Sequence, residues 1–300
     1  MQTPITPKGP TLSPITAGTM TWGEWGADLS PSQMAELIGV CIDAGITTFD
    51  HADIYGHYST EESFGAALAQ LGETVREEIQ LVSKCGIRLK TSRRPENALK
   101  SYDTSKEYII ESAERSLQNL KTDYLDVFLI HRPDPLMDPV AVAEAFTQLK
   151  QAGKVLHFGV SNFTPSQFQL LHDVFPLVTN QVECNPLHPD IFFDGTADQL
   201  LSKQIRPMIW SPLGGSNYFG SEGTAVLRLR DAVKTTAAKY DTSENVILLA
   251  WLLRHPVGAI PVVGTTKPER LRESVAALSV ELAAQDWFFI LEAARGSEVA

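Results

Sequence analysis

Residues 125–161 read LDVFLIHRPDPLMDPVAVAEAFTQLKQAGKVLHFGVS, and this stretch contains one complete strand–helix–strand unit. The apolar run Leu125–Ile130 predicts a strand, Pro139–Ala152 has helical periodicity and ends at Gly153, and Val155–Ser161 predicts a second strand. Two strands joined by a helix of this length lie parallel in one sheet. The stretch therefore predicts a parallel sheet covered by helices.

The same unit repeats along the whole chain. The predicted strands are Ile15–Met20, Thr47–Asp50, Ile79–Lys84, Leu125–Ile130, Val155–Ser161, Thr179–Glu183, Arg206–Ser211 and Ala259–Val263. The predicted helices are Pro31–Ala44, Thr60–Leu71, Ser105–Leu120, Pro139–Ala152, Pro165–Val174, Ala197–Lys203, Ser243–Leu253 and Pro268–Leu278. This alternation favours an α/β fold, a closed (β/α)8 TIM barrel, over an open doubly wound sheet, because no G-x-G-x-x-G follows any strand.

Three segments do not fit the eight units and are predicted to be additions to the barrel. They are residues 1–14, the helix-like insertion Thr224–Tyr240 after strand seven, and the helical extension Glu281–Ala294. No repeat or change of composition divides the chain, so we expect a single domain over residues 1–300.

Composition and net charge limit the binding partners that the protein is expected to have. The chain is 43% hydrophobic with a formal net charge of −11, so nucleic acid is not an expected partner. The basic stretch Arg88–Lys100 is interpreted as a solvated loop.

The chain has neither the apolar core of a signal peptide nor a membrane-spanning run, which predicts a cytoplasmic protein that does not enter a membrane. Its three cysteines lack metal-ligand spacing, so no metal site is expected.

Polar residues follow most of the predicted strands. Asp50, Lys84 and His131 end strands two, three and four. The later strands end at Ser161-Asn162, Gln181, Trp210-Ser211 and Gly264-Thr265. The C-terminal strand ends of a barrel converge on one rim, where active sites of such barrels lie. These residues are therefore expected to form one site.

Tyr55 lies five residues beyond Asp50, in a loop whose Gly56 permits a sharp turn back over the rim. A lysine ammonium beside a phenol favours the phenolate, so Lys84 is expected to lower the pKa of Tyr55. Tyr55 is thus a candidate proton donor near neutral pH.

These motifs together resemble those of the aldo-keto reductases, and in detail the bacterial YdhF-type oxidoreductases among them. The resemblance covers about Ile15 to Ala294 and is carried by DHADIYG at 50–56, VSK at 82–84, LIHRP at 129–133, FGVSNF at 158–163, NQVE at 180–183, WSPLG at 210–214 and residues 261–270. It implies that Asp50, Tyr55, Lys84 and His131 form a catalytic tetrad. In such a tetrad Tyr55 protonates the carbonyl oxygen, Lys84 lowers the pKa of Tyr55, and Asp50 holds Lys84. His131 orients the carbonyl.

The resemblance also implies NADP(H), bound across the rim without a Rossmann domain. Ser161, Asn162 and Gln181 match residues that bind the nicotinamide carboxamide, Trp210 matches the aromatic that stacks on its ring, and Thr19 and Met20 lie where strand one meets the cofactor. Ser211, Leu213 and Gly214 lead into a loop expected over the diphosphate. Thr265, Lys267 and Arg270 match the 2′-phosphate site; Gly264 departs from the family's basic residue there, and Lys267 could instead pair with Glu269 or Glu273.

The expected substrate is a small carbonyl compound, and the expected assembly is a monomer or a weak homo-oligomer. The candidate pocket residues lie on the loops: Trp22, Trp25, Arg132, Met137, Tyr218 and Phe219. Arg132 suggests a polar or carboxylate-bearing substrate, unless it pairs with Asp134 or Asp138.

Two other functions fit the same residues. Lys84 could form a Schiff base as the nucleophile of a lyase. The barrel could also act as a cofactor-bound redox sensor or regulatory subunit, as in some relatives of the family.

Overall fold

Eight parallel strands close into a barrel in the computed structural model, which describes residues 2–72 and 74–299. The barrel strands, numbered here in chain order, are β1 Thr16–Gly18, β2 Thr48–Asp50, β3 Gln80–Cys85, β4 Leu125–Ile130, β5 Val155–Ser161, β6 Asn180–Glu183, β7 Met208–Trp210 and β8 Ile260–Val263. β8 pairs with β1, so the sheet has no free edge. The predicted TIM barrel is confirmed, and the open sheet is excluded.

A helix packs outside the barrel after each strand. These helices are α1 Pro31–Asp43, α2 Thr60–Leu71, α3 Lys106–Leu120, α4 Pro139–Gln151, α5 Pro165–His172, α6 Thr196–Ser202, α7 Glu244–Leu253 and α8 Pro268–Ala276. Several boundaries follow from local chemistry: Ser30 and Gln33 form a capping box before α1, and Asp138 caps α4. Gly153 ends the α4 region in a left-handed conformation, with φ of 69°.

An N-terminal hairpin fills the end of the barrel opposite the candidate site. Its strands are Thr3–Pro4 and Thr11–Leu12, and Ile5 and Leu12 are fully buried. Both side chains cluster with residues that point into the barrel, including Val127. The carbonyl of Ile5 accepts a hydrogen bond from the Arg206 amide at 2.8 Å. The predicted N-terminal addition is thus part of the barrel interior.

The two predicted helical additions are present, and they lie beside each other outside the barrel. Thr224–Lys239 is inserted between β7 and α7, and Ala284–Arg295 follows α8. Tyr240 donates to Asp286 at 2.7 Å and ties the two together. The remaining elements are short: an antiparallel hairpin of Ile87–Arg88 and Ser101–Tyr102, a turn at Tyr55–Tyr58, helices Thr74–Glu78 and Gly215–Phe219, and 3-10 turns Asp190–Phe192 and Ala277–Ser279.

Candidate functional site

A buried lysine forms the centre of the site. Lys84 on β3 is 0% exposed, and its Nζ donates to Asp50 Oδ2 at 2.7 Å, to the His51 carbonyl at 2.7 Å and to the Tyr55 hydroxyl at 3.3 Å. An ammonium has three protons to donate, and each finds an oxygen here. Two adjacent strands and the loop after β2 therefore converge on one cation.

Tyr55 and His131 face each other beside this cation. Their ring centroids are 6.0 Å apart in an edge-to-face arrangement. The His131 amide donates to the Cys85 carbonyl at 2.7 Å, which fixes the residue at the end of β4. Among the described residues, His131 Nδ1 has no hydrogen-bond partner. The structure thus brings all four predicted tetrad residues together.

The backbone after Tyr55 turns through the left-handed region. Gly56, His57 and Tyr58 have φ of 56°, 56° and 72°. A Cβ on Gly56 would lie 2.5 Å from Thr60 Oγ1, so only glycine fits there. The two non-glycine residues cost of order 1–3 kcal/mol each in this region. Such a turn holds Tyr55 against the rim.

Burial and neighbouring charges set the protonation of these groups. Burial lowers the pKa of Lys84, but the charge of Asp50 and the hydrogen bonds outweigh it, and the net pKa is raised. Burial, followed by the cations Lys84, Arg132 and Lys100, holds the pKa of His131 well below its ordinary value, so its imidazole is neutral. Lys84 is therefore a stable ammonium beside a neutral histidine.

The expected fall in the pKa of Tyr55 is wrong for this structure. Burial raises the pKa, and the opposing effects of Lys84 and Arg132 do not fully offset it. The side chain is only 9% exposed. Tyr55 thus holds its proton at neutral pH.

A chain of hydrogen bonds connects Asp50 with the predicted nicotinamide residues. Trp210 Nε1 donates to Asn162 Oδ1 at 2.9 Å, and Asn162 donates to Ser161 Oγ at 2.7 Å. Ser161 Oγ donates to the Gln181 carbonyl at 2.8 Å, and the Gln181 amide donates to Asp50 Oδ1 at 2.8 Å. These five residues form one connected wall of the rim.

The predicted phosphate-binding residues lie after β8, at the start of α8. Lys267 and Arg270 are exposed at the start of α8, and neither has an ion pair within 4 Å in residues 2–72 and 74–299. Glu273, one of the alternative partners of Lys267, accepts from Asn245 instead. Thr265 Oγ1 accepts from the Lys267 amide at 3.2 Å, and Gly264 is exposed. Two free cations thus flank a helix N-terminus.

The loop after β7 turns tightly beside this wall. Ser211 and Gly214 have φ of 49° and 76°, and the Gly214 amide donates to the Ser211 carbonyl at 2.9 Å. A Cβ on Gly214 would lie 2.9 Å from the Tyr218 Cβ. Leu213 between them is half-buried and packs against the core. This turn begins the predicted loop over the diphosphate.

The residues after β1 divide between interior and rim. Thr19 is buried, with its hydroxyl at 2.9 Å from His51 Nδ1, while Met20 is 46% exposed. Trp25 lies against Tyr55, with ring centroids 6.0 Å apart. Trp22 is fully buried and packs on aromatic residues of the core, so its prediction as a pocket residue is wrong. Its large apolar ring is covered on all sides.

Three other predicted pocket residues do not contact the tetrad. Met137 packs against the hydrophobic core. Tyr218 is 2% exposed and donates to Glu244 at 3.4 Å, and Phe219 contacts the Tyr218 ring edge-on. The short helix Gly215–Phe219 places Tyr218 and Phe219 against residues of the outer helix Thr224–Lys239.

Arg132 is at the rim and forms no ion pair within residues 2–72 and 74–299. Its guanidinium carbon lies 5.5 Å from the Trp210 ring centroid. The suggested pairing with Asp134 or Asp138 is not present, because Asp134 accepts from Thr104 and the Leu136 amide and Asp138 accepts from the Val140 amide. Arg132 is therefore free to meet a ligand.

Sequence reasoning missed two contributors. The His51 carbonyl holds Lys84, a backbone role that no side-chain pattern reveals. Lys100, assigned to a solvated loop, acts electrostatically on His131. Its position depends on the hairpin Ile87–Arg88 with Ser101–Tyr102, whose two-residue strands give no periodic signal. In that hairpin Arg88 donates to Asn97 and Asp103, so the basic stretch is tied down.

Metal-ligand clusters and membrane-spanning helices are both absent from the described residues. No cluster of three or more His, Cys, Asp or Glu in them could hold a metal ion. None of their helices combines the length and apolar character needed to cross a membrane.

The barrel and its rim define a class of protein that the sequence comparisons identify. The sequence profile of the aldo/keto reductase family matches residues 14–294, and the chain belongs to that family. It is 46% identical to the oxidoreductase YdhF of Escherichia coli, over 98% of both chains. It is 45% identical to the uncharacterized oxidoreductase YcsN of Bacillus subtilis and 40% identical to a 6-dehydroglucose reductase of Agrobacterium fabrum, each over 96% of both chains. The resemblance predicted from the motifs is confirmed.

A solved structure shares the whole fold. The thermostable aldo-keto reductase Tm1743, in complex with the inhibitor epalrestat, aligns with a TM-score of 0.82 at 25% identity over 98% of this chain and 99% of its own. Family and fold therefore agree on an oxidoreductase barrel.

Proposed function

We propose that this protein is an NADPH-dependent reductase of aldehydes or ketones, with Tyr55 as the proton donor. The observation that carries the proposal is the buried Lys84 ammonium, bonded to both Asp50 and the Tyr55 hydroxyl. Membership of the aldo/keto reductase family supports carbonyl reduction as the reaction class.

Tyr55 would give its proton to the oxygen of the reduced carbonyl. Lys84, 3.3 Å from the phenol oxygen, would stabilise the phenolate that forms, and Asp50 would keep Lys84 charged. A positioned donor of this kind contributes typically about 10²–10⁴-fold to a rate. His131, neutral and edge-on to Tyr55, would orient the carbonyl without adding a charge.

The residues present fit a nicotinamide dinucleotide. Ser161, Asn162 and Gln181 offer amide and hydroxyl groups beside the flat Trp210 ring, and Lys267 with Arg270 offers two unpaired cations for a 2′-phosphate. When bound, the cofactor supplies the hydride. The two free cations favour NADPH over NADH.

The substrate would be a small, polar carbonyl compound. One relative that is 40% identical is named a 6-dehydroglucose reductase, which suggests a hydrophilic aldehyde or ketone for this chain as well. A cytoplasmic location and a monomer or weak homo-oligomer stay predictions from the sequence.

The structure favours this proposal over a Schiff-base lyase. An amine must lose its proton to attack a carbonyl, whereas Lys84 is an ion-paired ammonium with a raised pKa. A substrate trapped covalently on Lys84 by borohydride would reverse this preference.

The test is oxidation of NADPH, beside NADH, over a panel of aldehydes, ketones and quinones. Tyr55→Phe should lower kcat by about 10²–10⁴-fold while it leaves cofactor binding intact. Tyr102→Phe, at a more exposed tyrosine on the outer hairpin, is the matched control and should behave as wild type. Tight NADPH binding without turnover of any carbonyl would instead support a redox sensor or regulatory subunit.

A further inference from the structure

Arg132 is a half-buried cation whose donors are unused. The guanidinium has five N–H donors, yet among the described residues it takes part in no ion pair within 4 Å. Its guanidinium carbon lies 5.5 Å from the Trp210 ring centroid. The planar fork is therefore available to bind a ligand anion.

The position of Arg132 is specific to the reacting centre. It directly follows His131 at the end of β4, and its guanidinium lies beside the Trp210 ring, whose indole donates to Asn162. A ligand group bound by Arg132 would therefore lie at the same rim as a carbonyl held between Tyr55 and His131.

Arg132 has no ion pair in the described residues, although the whole protein carries an excess of acids and a formal net charge of −11. Lys100 directly precedes the strand Ser101–Tyr102, whose partner Ile87 clusters with Tyr55, and it has no ion pair in the described part of the chain. Glu183, the last residue of β6, forms no ion pair with Arg132. Positive potential at the mouth of an acidic protein attracts anions selectively.

We infer that the carbonyl substrate carries a carboxylate, bound by the Arg132 fork with Lys100 as a second cation. Arginine matches a carboxylate with two parallel hydrogen bonds, so it also fixes the orientation of the substrate. This inference rests on the proposed reductase function and narrows its substrate class to oxo acids.

The test compares carboxylates with their neutral methyl esters in two matched pairs: 4-formylbenzoate, and 4-oxobutanoate as a flexible aliphatic analogue. Wild type should prefer each acid over its ester. Arg132→Leu should lower kcat/KM for the acids about 10- to 100-fold more than for the esters, because a hydrogen-bonded charge is lost only for the acids. Lys100→Met should give a smaller loss of the same sign. Lys234→Met removes one exposed positive charge from an outer helix and is the control for net charge.

Equal losses on acid and ester would overturn the inference and leave the proposed reductase intact. If wild type reduces no member of either pair, a binding assay on NADP⁺-loaded protein decides instead, with 4-(hydroxymethyl)benzoate and its methyl ester as probes. Tighter binding of the acid that Arg132→Leu abolishes supports the inference. Binding that Arg132→Leu leaves unchanged, including a carboxylate held by Tyr55 and His131 alone, contradicts it.

Discussion

Asp50 and Asp53 are three residues apart and both buried, but they differ in their hydrogen-bond partners. Asp50 is 2% exposed, and its two oxygens accept from Lys84 and Gln181. Asp53 is 8% exposed, and neither of its oxygens has a partner among the described residues. Both carboxylates are thus buried, and of the two only Asp50 has hydrogen-bond partners among the described residues.

The sheet geometry explains the pairing of Asp50 with Lys84. Neighbouring residues of a strand point to opposite faces, so Lys84 points into the barrel while Ser83 points out and donates to Glu61 of α2 at 2.6 Å. Asp50 shares the inner side with Lys84. Burial, followed by the charge of Glu61, raises the pKa of Asp53 well above its ordinary value. One acid is held as part of an ion pair, and the other is pushed toward its protonated form.

The largest expected effect comes from removing the cation that distinguishes the two acids. Lys84→Met leaves Asp50 buried without its ion pair and should lower the free energy of unfolding by about 3–5 kcal/mol. The double variant Asp50→Asn/Lys84→Met removes both charges and should regain most of this loss. Urea unfolding near pH 7 measures both. A double variant as unstable as Lys84→Met would show that the lost packing, rather than the unpaired charge, is responsible.

A smaller, pH-dependent effect is expected at Asp53. The pKa of Asp53 is raised in the folded protein, against about 3.9 in an unfolded chain. Its contribution to stability is therefore full below the unfolded pKa and falls as pH rises toward the folded pKa, by up to about 1.4 kcal/mol per pH unit. Asp53→Asn cannot ionise, so its stability relative to wild type should rise between pH 5 and pH 7.

Asp50→Asn is the matched control, since it is the same substitution three residues away. It should destabilise the protein, because Lys84 loses its charged partner. Urea unfolding at several pH values compares the two variants. A stability difference between Asp53→Asn and wild type that does not change with pH would mean that Asp53 ionises normally.

The smallest expected effect is on the pH dependence of turnover. Burial and nearby cations keep the His131 pKa well below its ordinary range, and burial raises that of Tyr55. Neither group then changes its charge near neutrality, so kcat/KM for carbonyl reduction should vary less than about twofold between pH 6 and pH 8. It should fall only at alkaline pH, as Tyr55 loses its proton. A bell-shaped profile centred near the ordinary histidine pKa would contradict the assignment of a neutral His131.

The barrel itself was predictable because each of its parts leaves a periodic signal. All eight strands were located, with ends displaced by a few residues; the first was expected over Ile15–Met20 and spans Thr16–Gly18. The hairpin formed by Ile87–Arg88 and Ser101–Tyr102 was not predicted, since two-residue strands have no alternation to detect.

The position of the site was predictable from the sequence, but the burial of its individual side chains was less so. Strand ends placed Asp50, Lys84 and His131 on one rim, but nothing in the sequence distinguishes a tryptophan of the rim from one of the core. Trp25 lies on Tyr55 while Trp22, three residues earlier, is fully buried. The predicted direction of the Tyr55 pKa shift was wrong for the same reason, because the burial of this side chain depends on the whole fold.

The N-terminal hairpin has a consequence for how the chain must assemble. Ile5 and Leu12 are synthesised well before Met208 and Ile260, which belong to the same buried cluster. The hairpin can complete these contacts only after the strands that contain Met208 and Ile260 have been synthesised. Deleting residues 2–13 would leave the tetrad untouched and open the far end of the barrel to water.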